Sequence, residues 1–261
     1  MYKSVRLLMA MSWLEAQRFR TYPWEVFFGV ISRLGETLLY IIFWVLVSRY
    51  ALSGDIDTRQ IVSFYLIASG ITPFFYLGYG IGSMTIRLIK SGELNQVLIK
   101  PINPILYPWA IRTGRNAVNL SIGALQVLVG VAIAGGIAGH SLPYLVPILF
   151  NTLLINASFN IMIGTVGFYT VEAMGIKNSF ELTAGLLRGS LIPLFLMPAS
   201  VAAGLQLSPF PASQYHLARL LQGYPPEWKY VVIGSVWAVG LVVLAVKFWH
   251  RGLEKYEATG I

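Results

Sequence analysis

Long uncharged stretches dominate the pattern of hydrophobic and polar positions along this chain. Four of them carry no charged side chain when histidine is counted as neutral: residues 61–86, 116–139, 141–171 and 189–218. A lipid hydrocarbon core is about 30 Å thick, and about 20 apolar helical residues cross it. The stretches lack the strict alternation typical of barrel strands, so they favour helices. The chain is therefore predicted to be an all-α, polytopic membrane protein.

Turn residues, prolines and charges divide the apolar pattern into six predicted transmembrane helices. Five of them are expected at about residues 23–47, 61–81, 142–171, 180–198 and 230–249. The remaining one, third in chain order, is expected to end near the glycine pair at residues 135–136. Residues 1–22 are predicted to form an amphipathic helix in the headgroup plane. The alternative is that they are the polar start of the first span. Residues 199–228 are predicted to form short re-entrant or interfacial helices, because their prolines break a continuous span.

Composition agrees with one transmembrane domain that occupies residues 1–261. Hydrophobic residues make up 56% of the chain and charged residues only 11%. The formal charge of +8 has a membrane explanation, because an excess of Lys and Arg holds loops on the cytoplasmic side. With that rule both termini are predicted to be cytoplasmic, and nucleic acid is not an expected partner. The chain has no cysteine, which excludes disulfides and thiol chemistry.

The basic loop at residues 86–104 carries the most specific pattern. Its sequence, IRLIKSGELNQVLIKPINP, resembles the cytoplasmic loop between the second and third spans of ABC type-two exporter permeases. The matching features are a basic residue, a Gly-Glu-Leu step, a Leu-Ile pair and a Lys-Pro step, at Lys90, residues 92–94, residues 98–99 and residues 100–101. The tail RGLEKYEATG at residues 251–260 resembles the Arg-Gly-Leu-x-x-Tyr-Glu-x-x-Gly ending of a small branch of that family.

The resemblance implies the permease subunit of an ATP-driven exporter in the cytoplasmic (inner) membrane of a prokaryote. Such a subunit pairs with a second permease, identical or different, and docks two copies of an ATP-binding subunit. ATP and magnesium are then expected in the partner, since this chain contains no G-x-x-x-x-G-K-[ST] motif. No cofactor is expected on the chain itself. The mostly apolar spans favour an amphipathic, lipid-like or drug-like substrate.

In the family the loop forms a coupling helix that contacts the ATPase. The resemblance therefore assigns a coupling role to eight loop residues: Arg87, Lys90, Gly92, Glu93, Leu94, Gln96, Leu98 and Lys100. Short helices of this kind can sit in a groove of a partner. The alternative is a basic loop that only fixes topology and touches lipid headgroups.

Polar residues inside the predicted spans are candidates for the translocation path, because charge in a bilayer is usually paired or functional. Arg33 and Glu36 share one face of the first helix and form either a self-neutralised pair or part of the path. Arg188 either lines a cavity or extends to an interface. Asn156 and Asn160 lie one turn apart and either bond neighbouring helices or line the path. Lipids are the other expected contact of the spans.

Catalysis and metal binding receive no support from the sequence. The histidines His140, His216 and His250 lie far apart, and no H-E-x-x-H motif occurs. The charged residues Glu172, Lys177 and Glu181 are predicted to mark a solvated cytoplasmic turn. The remaining functional alternative is an ion-coupled secondary transporter or channel, which would need intramembrane Asp, Glu or His, and the spans offer Glu36 and little else.

Overall fold

The computed structural model describes residues 2–17, 23–50, 57–75 and 78–258 of the chain. Helices make up 84% of the structure, and the described part contains no strand, so the all-α prediction is confirmed there. In chain order the α-helices are α1 (Tyr2–Ala16), α2 (Pro23–Tyr50), α3 (Thr58–Phe75), α4 (Gly78–Lys90), α5 (Leu94–Leu98), α6 (Leu106–Arg115), α7 (Ala117–Ala134), α8 (Leu142–Thr165), α9 (Ala173–Leu187), α10 (Ala199–Leu205), α11 (Pro209–Ser213), α12 (Tyr215–Leu221) and α13 (Trp228–Ala258).

Five helical segments of the described chain are long and apolar enough to cross a bilayer. They correspond to the first, second, third, fourth and sixth predicted spans, and they cover Val26–Tyr50, Thr58–Lys90, Ala117–Ala134, Gly139–Phe168 and Trp228–Tyr256. Three of the uncharged runs coincide with these segments, whereas the run at 189–218 forms only short helices; the first and last segments also contain charged residues. The third ends where the glycine pair predicted, with Gly135 in the left-handed region at its C-terminus.

The predicted fifth span, at residues 180–198, is not one helix. Its helix α9 begins earlier, at Ala173, and ends at Leu187 after 15 residues, which corresponds to a length of about 22 Å. Gly189 then adopts a φ of +75°, and the amides of Ser190 and Leu191 both donate to the carbonyl of Gly185. A left-handed glycine with such backward bonds terminates a helix. A count of six spans is thus not confirmed.

Residues 199–228 contain the three short helices α10, α11 and α12, as the prolines suggested. The segment packs into the helical bundle. The Gln214 and Gln222 amides donate to the backbone carbonyls of Ala68 and Gln60 on α3, at 3.0 and 2.9 Å. Irregular backbone at membrane depth is tolerated only where its polar groups find protein partners. The position of this segment relative to the bilayer stays a prediction.

Helix α1 packs against α6. The Ser12 hydroxyl donates to the carbonyl of Ala110 at 2.6 Å, and Arg115 forms an ion pair with Glu15 at 2.6 Å. Gly114 permits this close approach, because a Cβ there would lie 2.0 Å from the Ser12 carbonyl oxygen. The side chains of Met9, Trp13 and Leu14 are exposed. An interfacial position of residues 1–22 stays a prediction, and residues 18–22 lie outside the described part.

The tightest helix pair is α3 with α7, and it forms one wall of the molecule's interior. A Cβ on Gly70 would lie 2.8 Å from the carbonyl oxygen of Gly123. Small residues let helices approach closely where lipid offers no hydrophobic driving force. The first span is packed very differently: only 6% of the residues in its most apolar stretch are buried, against 60% for the second span. Helix α2 therefore leaves most of its surface for lipid or another protein.

Candidate coupling surface and intramembrane cavity

The predicted coupling loop folds into one small unit at the end of the second span. Helix α4 ends at Lys90, Gly92 turns the chain with a φ of +74°, and the short helix α5 follows. The buried face of the unit comprises Leu88, Ile89, Leu94, Val97 and Tyr256, and the last residue lies near the end of α13. The loop is thus fixed to both the second and the last span.

Most of the predicted coupling residues lie on the outer side of this unit. Exposed side chains are Arg87, Lys90, Glu93, Gln96 and Lys100. The Lys90 ammonium donates to the carbonyl of Val171, which ties the loop to the connection before α9. Lys100 lies 5.3 Å from the centroid of the Tyr107 ring. Gly92 is half-buried and supplies the turn.

Two of the predicted contact residues face the wrong way for a docking role. Leu94 is 1% exposed, and Leu98 is half-buried and packs against the same cluster. In a helix, positions 94, 97 and 98 share one face. Their apolar side chains hold α5 against α4 and α13, so they position the surface and do not form it.

Ile99 is the residue that the sequence interpretation missed. Its side chain is 85% exposed at the C-terminal cap of α5, although it is large and apolar. Helical spacing in the sequence could have indicated this, because residues 94, 97 and 98 share the inward face of the helix and residue 99 then lies outside that face.

A group of arginines connects this surface to α6 and α1. Burial lowers the pKa of Arg112 from its usual value, and the positive charges of Arg115 and Arg87 lower it further. Arg112 lies against Gly80, where a Cβ would come within 2.2 Å of its Nε. Glu15 offsets part of the repulsion. The predicted coupling residue Arg87 therefore belongs to a strongly positive region.

Between the spans lies a cavity of about 620 Å³, whose surface is more apolar than polar. Its walls come from α2, α3, the start of α7, α9 and the turn that follows α9. The charged and aromatic side chains that line it are Arg33, Glu36, Glu181, Arg188, Tyr40 and Tyr65. The structure thus brings together Arg33, Glu36 and Arg188, which the sequence could only nominate separately.

Arg33 and Glu36 form neither a hydrogen bond nor a close ion pair in the described part of the chain, although Glu36 attracts Arg33 electrostatically. The three guanidinium nitrogens of Arg33 donate to neutral acceptors: Nη2 to the Ser69 carbonyl at 2.7 Å, Nε to Gln126 Oε1 at 3.2 Å, and Nη1 to the Asn119 carbonyl at 3.3 Å. Arg33 therefore connects α2 to α3 and α7. Within the described residues, the Glu36 carboxylate has neither a hydrogen bond nor an ion pair, and it is exposed.

Arg188 and Glu181 are buried contributions of α9 to the cavity wall. Arg188 is 3% exposed, so it does not extend to an interface. Glu181 forms an ion pair with Lys177, with 2.6 Å between Oε2 and Nζ. Lys177 is only 6% exposed. The prediction that Lys177 and Glu181 mark a solvated turn was therefore wrong. The i,i+4 spacing brings the two charges together on one face of α9.

Asn156 and Asn160 are not among the described residues that line the cavity. Asn156 donates to the Ser213 carbonyl at 2.7 Å and to the Thr152 carbonyl at 2.8 Å. Asn160 donates to the Asn156 carbonyl at 2.8 Å. Of the two interpretations left open by the sequence, the structure agrees with helix-to-segment bonding for Asn156, since Ser213 belongs to α11.

Aromatic residues close one end of the cavity. The rings of Tyr40 and Tyr65 stack with centroids 5.7 Å apart and an angle of 4° between their planes. The Tyr65 hydroxyl and the Trp44 indole nitrogen both donate to the Leu191 carbonyl, each at 2.9 Å. These bonds hold the turn after α9 against α2 and α3.

Comparison with known protein families assigns the chain. Residues 34–260 match the model of the ABC-2 family transporter protein. The chain belongs to this ABC-2 family. Members are membrane components of transport that generally do no catalysis themselves and work with ATP-binding subunits. No curated protein matches the sequence.

Side chains of the types that bind metals are scattered over the described residues. They include no group of three or more His, Asp or Glu side chains arranged to hold a metal ion. The ABC-2 chain thus combines several apolar helices long enough to cross a membrane with an α4–α5 unit that has an exposed outer side and with a cavity between its helices.

Proposed function

We propose that this chain is the permease subunit of an ATP-driven ABC exporter. It moves an amphipathic, lipid-like or drug-like molecule across the cytoplasmic membrane of a prokaryote by alternating access, with both termini in the cytoplasm. Two copies of an ABC ATP-binding subunit supply the energy and hold ATP and magnesium. A second permease, identical or different, completes the complex.

The single observation that carries the proposal is the outer surface of the α4–α5 unit. It presents an exposed apolar residue, Ile99, among the polar side chains of Glu93 and Gln96, on a helix fixed to the bundle by Leu94 and Val97. A rigid short helix with one apolar tip fits a groove in a partner protein. A loop that served only topology would need no such fixed tip.

The cavity is the proposed path, because it adjoins the same span. Helices α3 and α4 form the second span, Thr58–Lys90, and α3 contributes Tyr65, Ser69 and Thr72 to the cavity. Closure of the ATP-bound partners would push α5. The push would travel through α4 to the wall of the cavity and reorient α2 and α9 around it.

Co-purification tests the proposal. The wild-type chain, tagged and extracted in mild detergent from its native membrane, should carry an ATP-binding subunit that mass spectrometry identifies. Ile99→Asp should lose that subunit, because it places a charge at the proposed contact. Ile137→Asp is the matched control, since Ile137 is 45% exposed and lies in the loop after α7.

The outcomes separate the proposal from its rival. Loss of the ATPase from Ile99→Asp alone supports a coupling surface at α5. Absence of any ATP-binding subunit from the wild-type sample under several gentle conditions would refute the exporter. An ion-coupled secondary transporter would then lead, and one observation favours it: the carboxylate of Glu36, near the middle of the first span, has no hydrogen bond or close ion pair with any described residue.

A further inference from the structure

Glu36 is the most exposed of the four charged side chains that line the cavity, which also include Arg33, Glu181 and Arg188. Arg33 uses its donors on Ser69, Gln126 and Asn119, and Arg188 is 3% exposed. Glu181 is neutralised by Lys177 at 2.6 Å. Glu36 alone among these four lining residues is exposed and has no hydrogen bond or ion pair with any described residue.

The depth of Glu36 makes this exposure significant. The residue lies near the middle of the span Val26–Tyr50. A carboxylate at the bilayer centre is costly unless it faces water, a cation or another polar group. Arg33 attracts it electrostatically but uses its donors on Ser69, Gln126 and Asn119. A positively charged molecule inside the cavity would form the direct ion pair that Arg33 does not form.

The neighbouring side chains suit an organic cation. Tyr40 lies one helical turn from Glu36 on the same face of α2 and stacks on Tyr65, and both tyrosines line the cavity. Aromatic faces attract cations, most strongly where water is scarce. The volume of about 620 Å³ accepts a bulky molecule.

We propose that this cavity binds a lipophilic organic cation, with Glu36 as the charge partner and Tyr40 as the aromatic contact. The proposal rests on the proposed function, because it names the substrate class of the same transport path. It requires no covalent step. Selectivity arises from the sign of the accessible charge, while the apolar parts of the molecule contact the span.

Two ions of nearly equal size and opposite charge test the proposal: tetraphenylphosphonium and tetraphenylborate. Their saturable binding to the full chain in lipid nanodiscs is measured, with protein-free nanodiscs as background. The wild type should prefer the cation. Glu36→Gln should weaken cation binding by about tenfold or more, since a nearby charge at intermediate dielectric contributes several kcal/mol.

Further variants sharpen the test. Glu36→Gln should also shift the preference toward the borate anion, because Arg33 and Arg188 remain. Glu36→Asp should keep the preference for the cation, which shows that a lost signal is not misfolding. Tyr40→Leu should lower cation affinity by about threefold or more. Glu254→Gln is the matched control, an exposed carboxylate near the end of α13, and should change nothing.

Three results would overturn the proposal: equal binding of the two ions by the wild type, no saturable cation binding, or an unchanged preference in Glu36→Gln. The assay needs neither ATP nor an ATPase. Failure of the exporter proposal would appear as a missing ATP-binding subunit with cation binding intact. Failure of the cation-binding proposal would appear as a co-purified ATP-binding subunit together with a loss of the preference for the cation.

Discussion

Side chains of α8 satisfy the backbone of α11. Asn156 donates to the Ser213 carbonyl at 2.7 Å, and Thr152 donates to the Ala212 carbonyl at 3.1 Å. A helix of five residues has no internal partners for most of its carbonyls, so in a water-poor setting neighbouring side chains must provide them. Asn156 and Thr152 therefore stabilise the packing of α11 against α8.

Replacing Asn156 by Leu should therefore destabilise the protein and spare the cavity. The change leaves the Ser213 carbonyl buried without this donor, at a cost of about 1–3 kcal/mol. Thermal unfolding in detergent, followed by size-exclusion chromatography, should show a lower midpoint. Leu153→Ala on the same helix is the control, because Leu153 is 46% exposed. Equal midpoints for Asn156→Leu and the wild type would contradict this role.

Residue roles were predictable from the sequence only where periodicity decides them. The inward positions Leu94 and Leu98, and the outward Ile99, follow from helical spacing within α5. The partners of Arg33 do not, because Ser69 and Gln126 belong to helices distant in sequence, and only their packing brings them to α2. The i,i+3 spacing to Glu36 suggested a pair that the fold does not form.

Some helices were predictable from the sequence and others were not. Long apolar stretches, three of them uncharged, predicted the five candidate spans because a bilayer demands that length and composition. Helix α9 was mispositioned because Lys177 and Glu181 looked like a solvated turn, whereas their mutual ion pair allows burial. Its end at Leu187 had a recognisable signal, Gly189 followed by Pro193, which are common features after a helix C-terminus.

The turn at Gly189 should tolerate no side chain. Gly189→Ala forces a left-handed φ of +75° on a residue with a Cβ, and that atom would lie 2.4 Å from Leu194 Cδ1. Strain and overlap together should cost about 2–4 kcal/mol of unfolding free energy. The unfolding midpoint of the purified chain measures this.

Two other glycines separate these effects. Gly136→Ala meets the strain alone, with a φ of +93° and no atom within 4 Å, and should cost about 1 kcal/mol. Gly139→Ala introduces neither backbone strain nor overlap and should leave the free energy of unfolding almost unchanged. Equal midpoints for all three variants would refute the account of the α9 turn.

For the whole molecule, the incompletely covered side of the cavity is the main feature. Only 6% of the residues in the most apolar stretch of α2 are buried, and Glu36 lies near the middle of this span. Glu36 itself lines the cavity, and the exposed apolar side chains of α2, such as Leu38, Leu39 and Ile42, form the uncovered area beside it. The surface is better explained if the second permease covers α2 in the assembled transporter.

Cross-linking in native membranes tests this arrangement. The chain contains no cysteine, so single cysteines can be introduced without background. Leu39→Cys, 69% exposed on α2, should form a disulfide or bismaleimide-linked dimer when the partner is a second copy of this chain. Val236→Cys, also 69% exposed but on α13, is the control and should not. Cross-linking of both or of Val236→Cys alone would contradict an α2 interface.

The measurement that tests the central claim most directly is ATP-dependent transport. Inside-out vesicles that contain the native complex are given a fluorescent amphiphile, with and without ATP, and with an ionophore that dissipates ion gradients. The account predicts accumulation that requires ATP, persists with the ionophore and is lost in Ile99→Asp while the chain remains in the membrane. Accumulation without ATP that the ionophore abolishes would contradict it and identify an ion-coupled transporter.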